Sequence, residues 1–430
     1  MKKKILLLSD DIRIPSGIGT MSKSFVMNSL KDFDWVQMAG AVKHPEAGKL
    51  IDMSEAMATE TGVEDPSLVL YAVDGYGNPE ILRAVIAREN PDAILHFTDP
   101  RFWGWLYEME HEIRQTIPLM YYNIWDDLPF PHWNENAYES CDMLMAISKQ
   151  TYNINKHVCI RKPRIEGKDL TYVQHGIDET IFKPLHKTDP GLLEFKGKLF
   201  GNREYDYVAL FNSRNILRKH PADLIPAFNS FVMALPEESR SKTALVLHTD
   251  IVDQAGTDLQ AVANKLADDS TIIFSNGKLE PPQLNYLYNI ADVMCNPSSA
   301  EGFGLTHMEA MMGGTPTIAS VIGGLQDQMG FTINDRPMGV EDFTAEIPSN
   351  STGKISKEHG EWVYPLWPQV TLQGSPATPY IYDSRVSLDQ ITKGLEYWYE
   401  MGKEIRAEKG LAGRTWAIKN NLHQKECQKL

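Results

Sequence analysis

The sequence predicts an α/β fold built from two doubly wound, parallel-sheet domains. Three observations lead to this prediction. Short apolar runs of strand length alternate with longer amphipathic stretches, which is the pattern of βαβ units. The alternation stops at a polar linker after Pro184 and then restarts, so a second sheet is expected. With 430 residues, the chain also exceeds the length that one hydrophobic core usually supports.

Eight apolar runs mark the expected buried strands. In the first half they are KKILLLS, DAILHFT, PLMYYNI and DMLMAIS, and in the second half YVALFNS, TALVLHT, STIIFSN and DVMCNPS. The amino terminus, MKKKILLLSDD, begins like a secretion signal. Its apolar run ends at Leu8 and meets two aspartates, which makes it too short for a signal and favours a first strand.

Composition excludes several classes of protein. A net charge of −15 and a pI near 5.3 argue against a protein that coats nucleic acid or an anionic membrane by charge attraction. The four cysteines, Cys141, Cys159, Cys295 and Cys427, are scattered and predict neither a disulfide framework nor a zinc site. No apolar segment approaches the length of a membrane span. We therefore expect a cytoplasmic protein, and the sequence does not indicate an oligomeric state.

The domain limits follow from these patterns. We predict a first domain over residues 1–185, a second over 186–384, and C-terminal helices over 385–430. Within the second domain, residues 331–384 are rich in Pro, Gly and Ser and contain Trp362 and Trp367. Long segments without clear periodicity are usually functional or disordered. An ordered insertion near an acceptor and a packed surface excursion are both open interpretations.

The most informative segment is NPSSAEGFGLTHMEAMMGGTPTIAS, residues 296–320. Two carboxylates, Glu301 and Glu309, flank a glycine turn that leads into an amphipathic stretch. Gly302 and Gly304 allow unusual backbone angles and a close approach of a ligand to backbone N–H groups. Thr306 is placed to open a helix, whose unpaired N–H groups and partial positive charge suit nucleotide phosphates. Along this turn the donor-binding candidates are Gly302, Phe303, Gly304, Leu305, Thr306 and Glu309.

These residues also match a family pattern. EGFGLTHMEA resembles the E-x7-E signature of retaining nucleotide-sugar glycosyltransferases of the GT-B fold, in particular glycosyltransferase family 4 and its relatives. The alternative interpretation is an ordinary acidic helix start, because Glu is favoured in a first helical turn.

Further blocks agree with the family in their order along the chain. IADVMCNPSS resembles the strand and turn before the signature, and GGTPTIAS, followed by Gly323 and Gly324, resembles what comes after it. Residues 172–184, YVQHGIDETIFKP, resemble the family's NG-[VI]-D-x3-F-x-P segment with His175 in place of Asn. Residues 213–221, SRNILRKHP, resemble its GR-x4-KG segment, although Ser213 and His220 replace the glycines.

The resemblance implies a fold, a reaction and site residues. It implies two Rossmann-like domains that face a cleft, with a C-terminal helix that crosses back to the first domain. Glu301 would bind hydroxyls of the transferred sugar and Glu309 the ribose. Arg214 and Lys219 would stabilise charge on the departing phosphate of a UDP-sugar or GDP-sugar, without a metal or other cofactor. For the two cations, a solvated basic loop is the alternative interpretation.

Other candidates depend on single positions. Gly17 and Gly19 follow the first strand and are placed to approach the donor, although a lone G-x-G is a weak signal. The resemblance also suggests that backbone atoms around Gly277 and Lys278 contact the nucleobase. Where relatives carry a histidine, the segment YYNIWDDLPFPHW offers Trp125, Asp126 or Asp127; Asp126 is a catalytic candidate and Asp127 an acceptor-side candidate. His96 is a second acceptor-side candidate, and a structural histidine is the alternative.

Three functions stay open at this point. The first is a glycosyltransferase that acts on a carbohydrate or small-molecule acceptor. The second is a phage-type enzyme that glycosylates hydroxymethylated bases in DNA, because SDDIRIPSGIGTMSK and WDDLPFP resemble glycosyltransferases of phage genomes. The third is an epimerase or pseudoenzyme on the same fold. A DNA acceptor would need a cationic track. The candidate track residues lie in the segment 156–168 and at Lys403, Arg406, Lys409, Arg414 and Lys419.

Overall fold

A computed structural model describes residues 2–420 and divides the chain into two compact units. The first unit comprises the residues up to Gly176 together with Gly374–Ile381. Within residues 2–420, the second comprises Ile177–Gln373 and the residues from Tyr382 onward. The predicted domain boundary at residue 185 thus lies a short way beyond the observed division after Gly176.

The first unit contains an eight-stranded sheet with the order β3-β4-β2-β1-β5-β6-β7-β8. All neighbouring strands are parallel except β3 and β4, which are antiparallel. The central strands are apolar on both faces and almost fully buried, as expected for a parallel sheet. The strands are β1 (Lys3–Asp10), β2 (Phe33–Ala41), β3 (Leu50–Asp52), β4 (Leu68–Asp74), β5 (Ala93–Phe97), β6 (Leu119–Asn123), β7 (Met143–Ala146) and β8 (Leu170–Tyr172).

Side-chain caps begin several helices of the first unit. Ser16, Asn78 and Ser148 each accept a hydrogen bond from a backbone N–H of the following first turn, which satisfies a donor that has no partner inside the helix. The helices are α1 (Gly17–Ser29), α2 (Ser54–Thr61), α3 (Pro79–Glu89), α4 (Gly104–Glu108), α5 (Glu110–Ile113), α6 (Glu135–Glu139) and α7 (Lys149–Val158).

The second unit contains a six-stranded parallel sheet with the order β11-β10-β9-β12-β13-β16. This is the strand order of a Rossmann sheet. Its strands are β9 (Tyr207–Asn212), β10 (Thr243–His248), β11 (Ile272–Ser275), β12 (Val293–Asn296), β13 (Thr317–Ser320) and β16 (Val363–Leu366). The eight strands expected from the apolar runs are all present, and the predicted α/β class with parallel Rossmann-like sheets is confirmed.

The helices of the second unit pack with this sheet around an apolar core that includes Phe211, Phe228, Leu245 and Trp398. They are α8 (Pro190–Phe200), α9 (Pro221–Ala234), α10 (Glu237–Arg240), α11 (Leu259–Leu266), α12 (Pro281–Ile290), α13 (Leu305–Met312), α14 (Leu325–Gln328), α15 (Leu388–Glu400) and α16 (Gly402–Asn420). Among residues 2–420, no helix combines the length and the apolarity that crossing a membrane requires.

The segment predicted as an insertion, residues 331–384, is ordered and contains a strand of the main sheet. β16 pairs with β13 in parallel, and Trp362 just before it donates its indole N–H to the Gln328 carbonyl at 3.1 Å. The segment also forms β14 (Thr332–Ile333) with β15 (Arg336–Pro337), and β17 (Gln369–Ser375) with β18 (Thr378–Arg385). An aperiodic loop was therefore the wrong expectation for residues 363–366, because a four-residue buried strand is too short to show a period.

The C-terminal helices pack within the second unit. α15 contacts α9, β13 and β16, and α16 contacts α13. Residues 421–430, including Cys427, lie outside the described residues. The separate C-terminal segment expected from residue 385 is thus largely an integral part of the second unit, and its packing on the first domain stays a prediction. Among the described residues, Cys141, Cys159 and Cys295 are buried free thiols.

Candidate functional site

The order of the second sheet reverses between β9 and β12, and the loops after these two strands meet there. Ser299, in the loop after β12, donates its N–H to the carbonyl of Arg218, in the loop after β9, at 2.8 Å. In open α/β sheets, ligands bind beyond the carboxyl ends of the strands at such a switch point. Two of the predicted site residues lie in these loops, Lys219 after β9 and Glu301 after β12.

Lys219 and Glu301 form an ion pair at this switch point. The side chains of Lys219 and Glu301 are only 7% and 13% exposed, so little water screens the pair. Arg218 adds a second cation, with Nη1 at 3.4 Å from Glu301 Oε2 and at 2.6 Å from the Ala300 carbonyl oxygen. Two cations therefore converge on one carboxylate, and the group as a whole keeps a positive charge.

The turn after Glu301 needs glycine at position 304. Gly304 has φ +92° and caps α13, and this backbone conformation is one that other residues rarely adopt. A Cβ atom there would also lie 2.5 Å from Leu325 Cδ2. The turn is thus fixed both by its backbone angles and by its packing.

A second glycine, Gly324, holds the turn from the other side. Its N–H donates to the Glu301 carbonyl at 2.9 Å, and a Cβ atom at this position would lie 2.2 Å from the Gly302 carbonyl oxygen. Gln328 Nε2 donates to the Phe303 carbonyl at 2.6 Å. The segment that follows β13 therefore holds the main chain of the glycine turn in one position.

The helix α13 begins at Leu305, one residue before the expected start at Thr306. The N–H groups of His307 and Met308 bond to the Gly304 carbonyl, whereas those of Leu305 and Thr306 have no backbone partner within residues 2–420. Such N–H groups and the positive end of the helix dipole favour an anion. They follow directly on the turn that carries Glu301.

Glu309 lies one turn into α13 and is held by Tyr288 of α12. The Tyr288 hydroxyl donates to Glu309 Oε2 at 2.5 Å, and Asn212 Nδ2 donates to the same hydroxyl at 2.7 Å. Burial raises the pKa of the Glu309 carboxyl from 4.5 to about 7, and the hydrogen bond from Tyr288 acts in the opposite direction. Glu309 is the carboxyl of this site whose pKa lies near neutral pH.

One of the two predicted cations, Arg214, has a different ion-pair partner. Arg214, expected beside the phosphates with Lys219, is 65% exposed and pairs with Asp253 at 2.8 Å. Of the two arginines, Arg218 contacts Glu301 and Arg214 does not, and a role of Arg214 at the donor phosphates stays a prediction. Arg214 precedes the short helical turn Leu217–Lys219, and that turn directs Arg218 and Lys219 to the loop after β12.

The nucleobase candidates lie in the loop after β11, on the same edge of the sheet. Gly277 has φ +88° and is exposed, and a Cβ atom there would meet nothing within 4 Å. Lys278 pairs with Glu280 at 3.3 Å. The backbone of this loop is accessible, and its contact with a nucleobase stays a prediction.

In the first unit, the glycine turn after β1 belongs to a helix cap. Ser16 Oγ accepts from the Gly19 N–H at 2.9 Å and donates to Asp10 at 2.8 Å. A Cβ atom on Gly19 would lie 2.4 Å from the Ile14 carbonyl oxygen, so glycine is needed there for packing. Gly17, the first residue of α1, is exposed, so it is the better placed of the two glycines to meet a ligand.

His96 is buried in an aromatic cluster, which corrects the expectation of an acceptor-facing side chain. It is 0% exposed, its ring lies 4.8 Å from that of Tyr121, and its Nδ1 lies 2.6 Å from the Tyr107 hydroxyl. Burial lowers the pKa of His96 to about 3, so the ring is neutral at physiological pH. The surroundings of His96 therefore favour the alternative interpretation, a structural histidine.

Asp126 and Asp127 follow β6 on a well-anchored loop. The backbone carbonyl of Asp126 accepts from Gln150 Nε2 at 2.5 Å, and that of Asp127 accepts from the Trp125 indole N–H at 2.9 Å. Both aspartates are half-buried. Arg101 lies over the Trp125 ring, with Cζ at 5.2 Å from the ring centroid. Their catalytic and acceptor-side roles stay predictions.

Many side chains of the predicted cationic tracks form hydrogen bonds or ion pairs with other groups of the protein. Arg164 has a fully buried side chain that donates to the Cys141 carbonyl at 2.9 Å, and Arg161 pairs with Glu139 at 2.9 Å. In α16, three of the five named residues bind protein groups. These are Arg406 to Asp292 at 2.9 Å, Lys409 to Glu361 at 3.1 Å, and Arg414 to the Phe182 carbonyl at 2.9 Å. Lys156, Lys162, Lys403 and Lys419 are exposed.

Within residues 2–420, no group of three or more His, Cys, Asp or Glu residues has the arrangement of a metal site. Independence from metal stays a prediction.

Sequence reasoning missed three residues of this site. Tyr288 and Asn212 stand in apolar runs without a motif of their own, and only the packing of α12 and β9 beside α13 brings them to Glu309. Arg218 was visible as a basic residue next to Lys219, but the spacing pattern favoured Arg214. The spacing of residues in a motif does not show in which direction each side chain of a short helical turn points.

Comparison with known proteins agrees with this geometry. Residues 196–332 match the model of the family described as glycosyl transferases group 1. A D-inositol 3-phosphate glycosyltransferase from Kribbella flavida is 26% identical over 265 residues, which cover 57% of this chain and 60% of that protein. An alpha-monoglucosyldiacylglycerol synthase from Acholeplasma laidlawii is 29% identical over 188 residues, or 43% of each chain. The matched stretches thus span about two fifths to three fifths of these relatives' length.

Solved structures resemble the whole chain in fold. A sucrose-phosphate synthase from Thermosynechococcus elongatus has a TM-score of 0.67 and 15% identity, and the match covers 100% of this chain and 97% of that one. Anabaena HepE in complex with UDP and glucose has a TM-score of 0.65 and 15% identity, with coverage of 99% and 98%. These likenesses confirm the predicted GT-B fold.

Proposed function

Because residues 196–332 match the model of the glycosyl transferases group 1 family, we propose that the protein is a glycosyltransferase that moves a sugar from a nucleoside-diphosphate sugar to an acceptor hydroxyl. The observation that carries this proposal is the ion pair of Lys219 and Glu301 beside the start of α13. A cation and free helical N–H groups suit the diphosphate, and a carboxylate suits the hydroxyls of a sugar.

The ion pair gives a rationale for how the donor binds. The diphosphate competes with Glu301 for the Lys219 ammonium, and Arg218 and the first N–H groups of α13 add further donors. Once released from Lys219, the Glu301 carboxylate accepts hydrogen bonds from the sugar hydroxyls. Glu309, one turn further along the helix, accepts from the ribose.

Transfer then breaks the bond between the anomeric carbon and the phosphate oxygen. Charge develops on the departing phosphate, where fixed cations in a water-poor site contribute most to catalysis. Lys219 and Arg218 meet this need without a metal. We propose a retaining, same-face transfer in which the leaving phosphate takes the proton of the acceptor hydroxyl, so the oxygen of that hydroxyl bonds to the anomeric carbon.

For the donor we favour a UDP-sugar, with a GDP-sugar as the alternative, because the similar HepE structure holds UDP and glucose. For the acceptor we favour a carbohydrate or another small molecule. Duplex DNA requires many free cations, and several side chains of the predicted tracks, Arg164 among them, are committed to protein groups. DNA of the phage type is the alternative that the acceptor assay must test.

Two substitutions test the division of roles. Glu309→Ala should weaken nucleotide binding, because the ribose contact is the same in the ground and transition states. Glu301→Ala should mainly lower kcat, because the sugar contact positions the reacting carbon. Steady-state kinetics with each donor separate the two effects, and equal effects on KM alone would refute the division. Incubation with donor alone is the control, since an epimerase releases free sugar without any acceptor.

A further inference from the structure

Three polar side chains form a hydrogen-bonded series in the interior of the second unit, and this series ends at Glu309. Asn212 lies at the end of β9, Tyr288 in α12 and Glu309 in α13. Asn212 Nδ2 and the Tyr288 hydroxyl are 2.7 Å apart, and that hydroxyl and Glu309 Oε2 are 2.5 Å apart. The side chain of Tyr288 is 0% exposed, and Asn212 is 7% exposed.

The hydrogen bonds among Asn212, Tyr288 and Glu309 all run from donor to acceptor toward Glu309. A phenol carries a single proton, and Asn212 occupies the phenol oxygen as a donor, so the proton of Tyr288 is directed to Glu309. Burial raises the pKa of Tyr288 well above 10, so the phenol keeps that proton at physiological pH. The second oxygen of the carboxyl, Oε1, has no hydrogen-bond partner within residues 2–420, and Glu309 keeps part of its surface exposed.

We propose that Tyr288 is a positioning residue: its hydroxyl binds Oε2 of Glu309 and fixes the carboxyl so that Oε1 accepts a ribose hydroxyl of the donor. The inference rests on the proposed function, since it needs a nucleotide at Glu309. Asn212 is the second positioning residue, because it determines which way the phenol proton points. At pH 8, above the pKa of about 7, the Glu309 carboxyl is mostly ionised, and a hydrogen bond to such a charged acceptor changes an equilibrium by about tenfold to a hundredfold.

The test compares two buried tyrosines that each lose only the hydroxyl. Tyr288→Phe removes the donor to Glu309. Tyr207→Phe is the matched control, because Tyr207 is also 0% exposed and its hydroxyl donates to the Leu395 carbonyl at 3.0 Å in the core of the same unit. Both variants should lose similar thermal stability, so a general effect on folding appears in both.

Calorimetric titration with UDP, GDP and ADP gives the binding result. Tyr288→Phe should weaken binding of whichever nucleotide binds the wild type by about tenfold to a hundredfold, and Tyr207→Phe should leave it unchanged. In kinetics, Tyr288→Phe should raise the KM for the donor and leave kcat nearly constant. Binding by Tyr288→Phe equal to that of Tyr207→Phe would overturn the inference.

Two further variants separate positioning from packing. In a Glu309→Ala background, Tyr288→Phe should cause no further loss of affinity; an undiminished loss would mean that Tyr288 acts without Glu309 and would overturn the inference. Asn212→Asp offers the phenol an acceptor in place of a donor, so the proton can turn away from Glu309 and binding should weaken.

The outcomes also distinguish this inference from the proposed function. If none of the three nucleotides binds the wild type, or if Glu309→Ala binds them unchanged, the proposed function and this inference both fail. If Glu309→Ala loses binding and Tyr288→Phe does not, only the role of Tyr288 is wrong.

Discussion

Glu309 should titrate near neutral pH, and Glu309→Gln should abolish that titration. The pKa of the carboxyl is raised from 4.5 to about 7 by burial. Between these two values the folded protein holds a proton that the unfolded chain releases, so its stability falls as pH rises through this range. Each pKa unit corresponds to about 1.36 kcal/mol, so the loss is about 2 to 3 kcal/mol once the residual exposure of Glu309 is taken into account.

Infrared difference spectroscopy measures this titration directly. The wild type minus Glu309→Gln should show a protonated carboxyl band at pH 6 that has lost most of its intensity by pH 8. Glu194→Gln is the matched control: Glu194 is 68% exposed and pairs with Lys198, which lowers its pKa, so its carboxyl is ionised at both pH values. A carboxyl band that is absent at pH 6 would refute the assigned environment of Glu309.

Four further predictions concern the site and the acceptor. Lys219→Ala should lower kcat by about a hundredfold or more. EDTA should leave wild-type turnover unchanged, and turnover that EDTA abolishes and magnesium restores would contradict the expected independence from metal. Arg218→Ala should lower kcat/KM more than Arg214→Ala, because only Arg218 contacts Glu301; the reverse order would favour the spacing pattern over the observed geometry. Gly324→Ala should weaken donor binding, because its Cβ would clash with the glycine turn, and Gly197→Ala, whose Cβ would meet nothing within 4 Å, is the control in the same titration. With a carbohydrate acceptor, kcat/KM should change little from low to physiological salt, and a steep fall would favour DNA instead.

The positions of the buried strands along the chain were the part of the fold that the sequence predicted best. Apolar runs such as YVALFNS and DVMCNPS are strands β9 and β12, because a strand buried on both faces needs an almost continuous apolar sequence. β16 was not predicted, for two reasons: the strand has only four residues, and it lies among turns rich in Pro and Gly. The composition around residues 363–366 therefore indicated a loop, whereas these residues form a strand because they pair with β13.

For the candidate site, the sequence indicated the residue types better than their contacts. Glu301 and Lys219 were predicted to share one site, and the structure pairs them. The pairing of Arg214 with Asp253 and the burial of His96 were not predicted, because spacing does not show which way a loop side chain points or whether a histidine at a strand end is enclosed by aromatic rings. The contact of Tyr288 with Glu309 arises from helix packing across 21 residues of sequence, which no local motif reports.

The central claim is that the loops at the switch point of the second sheet bind a nucleoside-diphosphate sugar. Its most direct test is thermal unfolding of the wild type and of the double variant Glu301→Gln, Glu309→Gln with UDP-, GDP- and ADP-sugars in large excess. A ligand at a hundredfold excess over its Kd stabilises the folded state by about 2.7 kcal/mol. We predict that one donor raises the Tm of the wild type and leaves that of the double variant unchanged. No shift with any donor, or an equal shift in both proteins, would contradict the claim.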